Sequence, residues 1–226
     1  MSKLYVIGTP IGNLKDITLR ALEVLKGVDV VLCEDTRVTK KLLSRYEIRA
    51  KTLSFHSHSA PSKIENIIQR LRDGKDLALV SDAGTPTISD PGSVLISSIR
   101  KTLPDVSIIA IPGASALTSA LSVSGLPSSD FLFLGFLPHK KGRESLFKEI
   151  ADSSRTVVFY ESSHRIMKAL RRLAETLSGK RKVVVARELT KVFEEVVSGS
   201  AEDVLRHFTE YADKQRGEFV VMVSGD

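Results

Sequence analysis

About five times in the first 110 residues, a short apolar run breaks at a turn and gives way to an amphipathic stretch. The runs occupy residues 4–7, 28–32, 52–55, 77–80 and 106–111. Several are apolar nearly throughout, as in Leu77-Ala78-Leu79-Val80, and lack the alternation of a half-exposed strand. Strands of that kind are buried on both faces. Strands separated by helices run parallel, because a parallel pair needs a crossover and not a hairpin. The first half therefore reads as a mostly parallel sheet with helices on its faces. In such sheets ligands lie beyond the carboxyl ends of the strands.

The stretch from Leu77 to Pro91 is the most informative of these ends. The strand runs into Ser81-Asp82-Ala83-Gly84-Thr85-Pro86, an acid, a glycine and a proline at a strand terminus. Asp82 can accept hydrogen bonds from an amine or a ribose, and Gly84 admits close backbone approach. A tight strand-to-helix connection with no ligand is the other reading. Asp90-Pro91 fits an N-cap followed by proline at the first helical position of a helix over 91–101.

The first strand ends in Gly8-Thr9-Pro10-Ile11-Gly12-Asn13, which is neither G-x-G-x-x-G nor a Walker A loop. It reads as a tight turn shaping the wall of a site. Asp16 is expected to cap a helix to Lys26, with Leu19, Leu22 and Leu25 on one face and Gly27 closing it. The second strand delivers Cys33-Glu34-Asp35-Thr36-Arg37 to the same end of the sheet. An acid there can serve a ribose, or Glu34, Asp35 and Arg37 can form a structural ion-pair cluster. Cys33 reads as a buried small apolar residue. A helix over 39–46 exposes Lys40, Lys41 and Arg45. His56 and His58 mark a polar loop rather than a metal site, since no acid pair lies nearby. Pro61 opens a helix that ends at Asp73-Gly74. The fifth strand ends in Pro112-Gly113-Ala114-Ser115-Ala116, and small residues occupy 115–123.

The turn-rich segment 124–128 places a boundary between Pro112 and Ser128, giving domains 1–113 and 114–226. Beyond it, strands are expected at 131–136, 156–160, 182–186, 192–197 and 219–223. The last two are expected to pair antiparallel around a helix over 201–211, in a mixed sheet. Basic residues gather in Pro138-His139-Lys140-Lys141-Gly142-Arg143 and along a helix carrying Arg165, Lys168, Arg171 and Arg172. Either a nucleic-acid contact or a solvated helix face accounts for the latter.

Charge narrows the partners. With 33 Lys and Arg against 27 Asp and Glu, the net charge of +6 favours a polyanion. No block of like charge exists, so any such surface is assembled by folding. The single cysteine excludes an internal disulfide and argues against a zinc cluster, so no metal is expected. No apolar run approaches the ~18 residues of a membrane span. The N-terminal run stops at Gly8 and Pro10 and reads as a strand, not a signal peptide. A reducing, cytoplasmic setting follows.

Six motifs occur in order: Ile7-Gly8-Thr9-Pro10-Ile11-Gly12-Asn13-Leu14, Cys33-Glu34-Asp35-Thr36-Arg37, Ser81-Asp82-Ala83-Gly84-Thr85-Pro86, Ile111-Pro112-Gly113-Ala114-Ser115, Phe159-Tyr160-Glu161-Ser162 with His164-Arg165, and Ala186-Arg187-Glu188-Leu189-Thr190-Lys191. Together they resemble the tetrapyrrole methylase (class III S-adenosylmethionine) family over nearly the whole chain. Within it they resemble the branch that methylates small-subunit ribosomal RNA. The resemblance implies two α/β domains, the first with a mostly parallel sheet and the second with a mixed one, and S-adenosylmethionine in the cleft between them. It implies a homodimer and 2′-O-methylation of a cytidine ribose in the decoding region of 16S rRNA. Longer members carry a C-terminal segment beyond the last strand, whose RNA contacts would be missing from this chain. Carried over by motif, cofactor contacts fall on Ile11, Asp82, Thr85, Ser115 and Ala116, and from the second domain on Tyr160, Arg187 and the backbone at Gly217.

Methyl transfer to a ribose hydroxyl needs both reactants held in line and a proton removed at or after attack, with a base or a cation near the oxygen. Lys191, Glu161, Arg37 and Glu34 are the catalytic candidates, each with an ion-pair role as the alternative. A sister enzyme acting on a tetrapyrrole or a modified protein side chain is the rival enzyme reading. A non-catalytic RNA-binding assembly factor is the rival of another class. The missing G-x-G-x-x-G disfavours a nicotinamide dehydrogenase.

Overall fold

The computed structural model describes residues 2–56, 60–90, 92–177 and 179–225. His58 and Pro91 lie outside them, so the expected histidine pair and the proline at the start of a helix fall partly outside the described residues. The chain divides into two compact units, the first through Ser115 and the second from Ala116.

In the first unit five strands form one sheet: β1 (Lys3–Ile7), β2 (Val30–Cys33), β3 (Lys51–Ser54), β4 (Leu77–Val80) and β5 (Ser107–Ile111). Their order is β3-β2-β4-β1-β5 and every pairing is parallel. Alternate residues serve opposite faces. Ala78 and Val80 pack with Ala21 and Leu25 of α1 (Leu19–Gly27) and Leu42 and Leu43 of α2 (Thr36–Arg45). Leu77 and Leu79 pack with Ile67 and Leu71 of α3 (Pro61–Arg72) and Leu95 and Ile99 of α4 (Gly92–Thr102). Each such buried side chain contributes roughly 1.5–3 kcal/mol. The first two crossovers thus cover one face and the last two the other. That change of direction puts the topological switch between β1 and β4, where a crevice opens at the strand ends.

Three local expectations are corrected. Thr18, not Asp16, caps α1: its hydroxyl accepts from the Ala21 N–H, and Leu14–Asp16 forms a separate 3₁₀ turn. Leu19 is 80% exposed, so the inward face is carried by Ala21 and Leu25. The second helix begins earlier than the pattern suggested, because the Asp35 side chain accepts from the Arg37 N–H as its N-cap.

The second unit holds β6 (Phe131–Phe136), β7 (Thr156–Ser162), β8 (Val183–Arg187), β9 (Glu195–Gly199) and β10 (Glu218–Val223), in the order β6-β7-β10-β8-β9. Only β6 and β7 pair in parallel; the other pairs are antiparallel. The expected pairing of residues 192–197 with 219–223 is therefore wrong. Strand β8 stands between them and pairs with both. Three helices, α6 (Arg143–Asp152), α7 (Ile166–Thr176) and α8 (Ala201–Glu210), bury Phe147, Leu170, Leu173 and Phe208 against Val157, Phe159, Val185 and Val221. The short helix α5 (Ala116–Ser124) packs along β8, β9 and β10.

Candidate active site

At the carboxyl end of the first sheet, four strand termini are tied together. The Thr9 N–H donates to the Gly84 carbonyl at 2.9 Å and the Gly84 N–H donates back at 3.1 Å, a single bridge joining the turns after β1 and β4. The buried Thr9 hydroxyl adds a bond to the Ser81 carbonyl at 3.1 Å. Asp82 accepts from the Asp35 N–H at 2.9 Å, joining β4 to β2. The Thr85 hydroxyl donates to the Ala114 carbonyl at 3.1 Å, joining β4 to β5. The backbones of Gly8 and Gly113 touch so closely that a Cβ on Gly113 would lie 2.5 Å from the Gly8 carbonyl oxygen. Gly84 has φ +86° beside the Ile11 side chain. Thr87 and Ser89 come next with φ +76° and +66°, a strained connection. Backbone strain of this kind clusters at ligand sites.

Four carboxylates, Glu34, Asp35, Asp82 and Asp90, face this end. Burial, with Asp82 nearby, pushes Asp90 up to about 6, although a bond from Ser81 pulls it down. Burial also raises Glu34, helped by the charges of Asp90 and Asp82. Asp35 is different: hydrogen bonds from the Arg37 guanidinium and N–H hold it down to about 2. Arg37 grips Asp35 at 2.6 Å while its side chain is 86% exposed. Of the residues expected here, Ile11, Asp82, Thr85 and Glu34 come together, and Ser115 closes the first unit after the fifth strand end. Ala116 opens α5 in the second unit. Arg37 is engaged by its helix cap. Thr9 was missed as a site residue; Asp90, read from the sequence as a helix N-cap near the strand ends, joins the carboxylates at this end.

In the second unit the carboxyl ends of β6, β7 and β8 and the start of β10 meet at one end of the sheet, as their pairings require. The turn after β8 is strained, with φ +49° at Glu188 and +67° at Thr190. Lys191 donates to Glu188 at 2.8 Å and to Glu218 at 2.9 Å. Burial would lower the lysine's affinity for its proton, but these two bonds outweigh it and hold it above the ordinary lysine value. Burial likewise raises Glu188, and the ammonium and the Glu218 N–H overcome it to leave that carboxyl below its usual range. Gly217, at φ +114°, brings its backbone against the Glu188 side chain. Arg187 is buried and donates to the Arg216 carbonyl at 2.8 Å and the Phe193 carbonyl at 3.2 Å. Arg187, Lys191 and Gly217 are thus brought together. Tyr160 lies on the same end, its ring 5.0 Å from Phe133 and 5.3 Å from Phe136.

Glu161 occupies a different environment. Its side chain is fully buried and bonded to Arg143 at 2.9 Å and Arg165 at 2.8 Å. Those guanidiniums also donate to the Pro138 and Leu137 carbonyls. Arg143 and Arg165, expected in cationic surfaces, are instead interior, and they anchor the loop that carries His139, Lys140 and Lys141. Among the described residues, no group of three or more His, Cys, Asp or Glu is arranged to hold a metal ion, and no helix is long and apolar enough to cross a membrane.

Residues 3–205 match the Tetrapyrrole (Corrin/Porphyrin) Methylases. The chain is 47% identical over 223 residues to a ribosomal RNA small subunit methyltransferase I of Vibrio cholerae, covering 98% of this chain and 77% of that one. It is 45% identical over 225 residues to the protein of that name in Thermotoga maritima, covering 100% and 99%. The chain belongs to the tetrapyrrole methylase family, in its ribosomal RNA small subunit methyltransferase I branch. The fold agrees with that membership. The uroporphyrin-III C-methyltransferase of Thermus thermophilus, solved with S-adenosylhomocysteine, superposes with a TM-score of 0.66 at 18% identity, covering 99% of this chain and 97% of that one. The family's first-sheet motifs are the residues of the four tied strand ends.

Proposed function

We propose that this protein transfers a methyl group from S-adenosylmethionine to the 2′-oxygen of a cytidine ribose in the decoding region of 16S rRNA. The observation that carries the reading is the 45% identity over 225 residues, end to end, with a ribosomal RNA small subunit methyltransferase I. Family membership makes the chain a methyltransferase that uses S-adenosylmethionine.

The first-unit site suits that cofactor chemically. S-adenosylmethionine presents an ammonium, a sulfonium and two ribose hydroxyls, all of which favour acceptors. Asp82 offers an exposed carboxylate, and Glu34 and Asp90 are held high by burial and by the crowding of like charge. A cation relieves that crowding. Ile11 and the Gly84 backbone give an apolar wall, and Thr85, Ser115 and Ala116 complete the binding set. Tyr160, Arg187 and the Gly217 backbone are the cofactor candidates of the second unit, taken by itself.

When bound, the cofactor supplies an electrophilic methyl carbon. The chain's own groups hold the ribose and manage its proton. Lys191 keeps its proton, because two carboxylates stabilise the ammonium; it therefore acts as a cation that stabilises the developing 2′-oxyanion and not as the base. Burial raises the Glu34 carboxyl's affinity for a proton, the direction that favours a proton acceptor, and Glu34 is assigned that role. Arg37 and Glu161, engaged in ion pairs of their own, are assigned to shaping the helix start after β2 and the loop after β6. The working place is the cytoplasm, where small ribosomal subunits are found, and the working form is a homodimer.

Transfer of labelled methyl from S-adenosylmethionine to unmethylated small ribosomal subunits, with nuclease mapping of the product, tests the reading. Label on one cytidine ribose is expected. Cofactor binding without label on RNA would assign the chain to a sister substrate.

A further inference from the structure

The last turn of β6 carries an irregularity that moves one side chain. Phe133 pairs with Val158, but the next paired residue is Phe136 with Tyr160, so three residues on β6 span two on β7. The extra residue is accommodated at Gly135, whose φ is +63°. Leu132 and Leu134 point into the core under the helices, and Phe133 lies on the opposite face. Continued alternation would send residue 136 to the helix-covered face. The bulge transfers it to the face of Phe133 and Tyr160, where the residue is 56% exposed. A bulge that re-aims an aromatic ring into solvent recurs next to functional sites.

Beyond Phe136 the chain enters a cationic loop held from below. Arg165 donates to the Leu137 carbonyl at 2.7 Å and Arg143 to the Pro138 carbonyl at 3.2 Å, both from the buried Glu161 carboxylate's ion pairs. His139, Lys140 and Lys141 are exposed above this anchor. The nearest acid along the chain, Glu144, pairs with Arg172 at 2.7 Å. Among the described residues, neither Lys140 nor Lys141 has a carboxylate in ion-pair reach. The loop leads into α6 through Gly142, left-handed at φ +84° with no side-chain cap, so the positive end of that helix adds to the field.

An exposed ring followed, four and five residues on, by two exposed lysines of an anchored loop is a combination by which proteins hold unpaired RNA: a base stacks on the ring and phosphates meet the ammonium groups. We infer that Phe136, Lys140 and Lys141 form a contact site for single-stranded RNA flanking the methylated nucleotide, with Glu161 as the positioning residue of the loop. The inference rests on the rRNA reading above and names a surface for that substrate. A protein partner on the same ring is the competing occupant, and the test separates the two.

The experiment compares wild type, Phe136→Ala, Phe136→Trp and the Lys140→Ala/Lys141→Ala pair. It measures KM and kcat on unmethylated small ribosomal subunits, S-adenosylmethionine affinity by calorimetry, and oligomeric state by sedimentation. Phe136→Ala is expected to raise KM for subunits about tenfold, with Phe136→Trp restoring it. The lysine pair is expected to weaken RNA binding and flatten its dependence on log salt by about 1.4. Cofactor affinity and oligomeric state should stay at the wild-type values. Unchanged KM in both sets overturns the inference while leaving the rRNA reading in place. A change of oligomeric state with Phe136→Ala overturns it in favour of a protein interface. Failure of wild type to methylate subunits removes the rRNA reading, and this inference with it.

Discussion

Arg143 donates to Glu161 across 2.9 Å in an environment closed to solvent, with side-chain exposures of 5% and 0%. A buried pair adds little net stability, but removing one partner strands the other charge. Here one carboxylate serves two guanidiniums, so Glu161→Ala leaves two cations uncompensated. The expected loss is about 3–5 kcal/mol, measured by urea unfolding. Glu161→Gln keeps the shape and loses only the charge, so it should retain more stability than the alanine variant. An alanine variant as stable as wild type would show that the triad does not anchor the loop after β6.

Gly113→Ala tests the contact of β1 and β5. The added methyl would meet the Gly8 carbonyl oxygen at 2.5 Å, where backbone and not a flexible side chain must give way. Overpacking of this sort costs about 1–3 kcal/mol. The expected result is that loss in thermal or urea unfolding, with weaker S-adenosylmethionine binding because the ends of all four strands are coupled. Gly27→Ala, where a Cβ meets nothing within 4 Å, is the matched comparison and should be neutral or stabilising.

The strands β4 and β6 were legible to the residue, because acid, glycine and proline breakers bound their apolar runs. The parallel sheet followed from the alternation of strand and helix. Partner choice in the second sheet was not legible. Nothing local in residues 195–199 says that β8 will come between them and β10, since pairing is decided by the whole layer. The cap of α1 went to Thr18 because Leu14–Asp16 uses the preceding residues for its own turn. Arg143 and Arg165 read as surface cations because their carboxylate partner arrives from β7; the i,i+4 spacing of Glu161 and Arg165 was the one local hint. The six motifs did place most cofactor candidates at strand ends. The charge state of Lys191 required its two acids, one of them 27 residues away, to be seen.

Asp90 should make stability fall with rising pH. A carboxyl held near 6, against an ordinary value of 3.8, binds its proton more tightly in the native state than in the unfolded chain. Its contribution is therefore fully present below about pH 4 and is lost as pH climbs through about 6. Asp90→Asn removes the titration, so the variant should gain on wild type progressively between pH 4 and 7 in urea melts. A difference that is flat across that window would place the Asp90 carboxyl at its ordinary value. The same linkage predicts that S-adenosylmethionine binding near pH 6 releases protons, seen as a buffer-dependent heat in calorimetry.

Lys191 separates binding from chemistry. Its ammonium is held by Glu188 and Glu218, so its charge persists above the ordinary lysine range and no lysine limb should appear in the rate profile below about pH 10. If the ammonium stabilises the 2′-oxyanion, Lys191→Ala lowers kcat by about 10²–10³-fold, the scale of one oxyanion donor, while S-adenosylmethionine affinity changes little. Lys191→Arg keeps the charge but alters its shape and reach, so partial recovery is expected. Equal losses in cofactor binding and in kcat would instead mean that the strained turn at Glu188 and Thr190 had collapsed without its ion pair. Lys191→Met resolves that ambiguity. It keeps the length and apolar stem of the side chain, so a folded Met variant with wild-type cofactor affinity and the same drop in kcat would assign the loss to the missing charge.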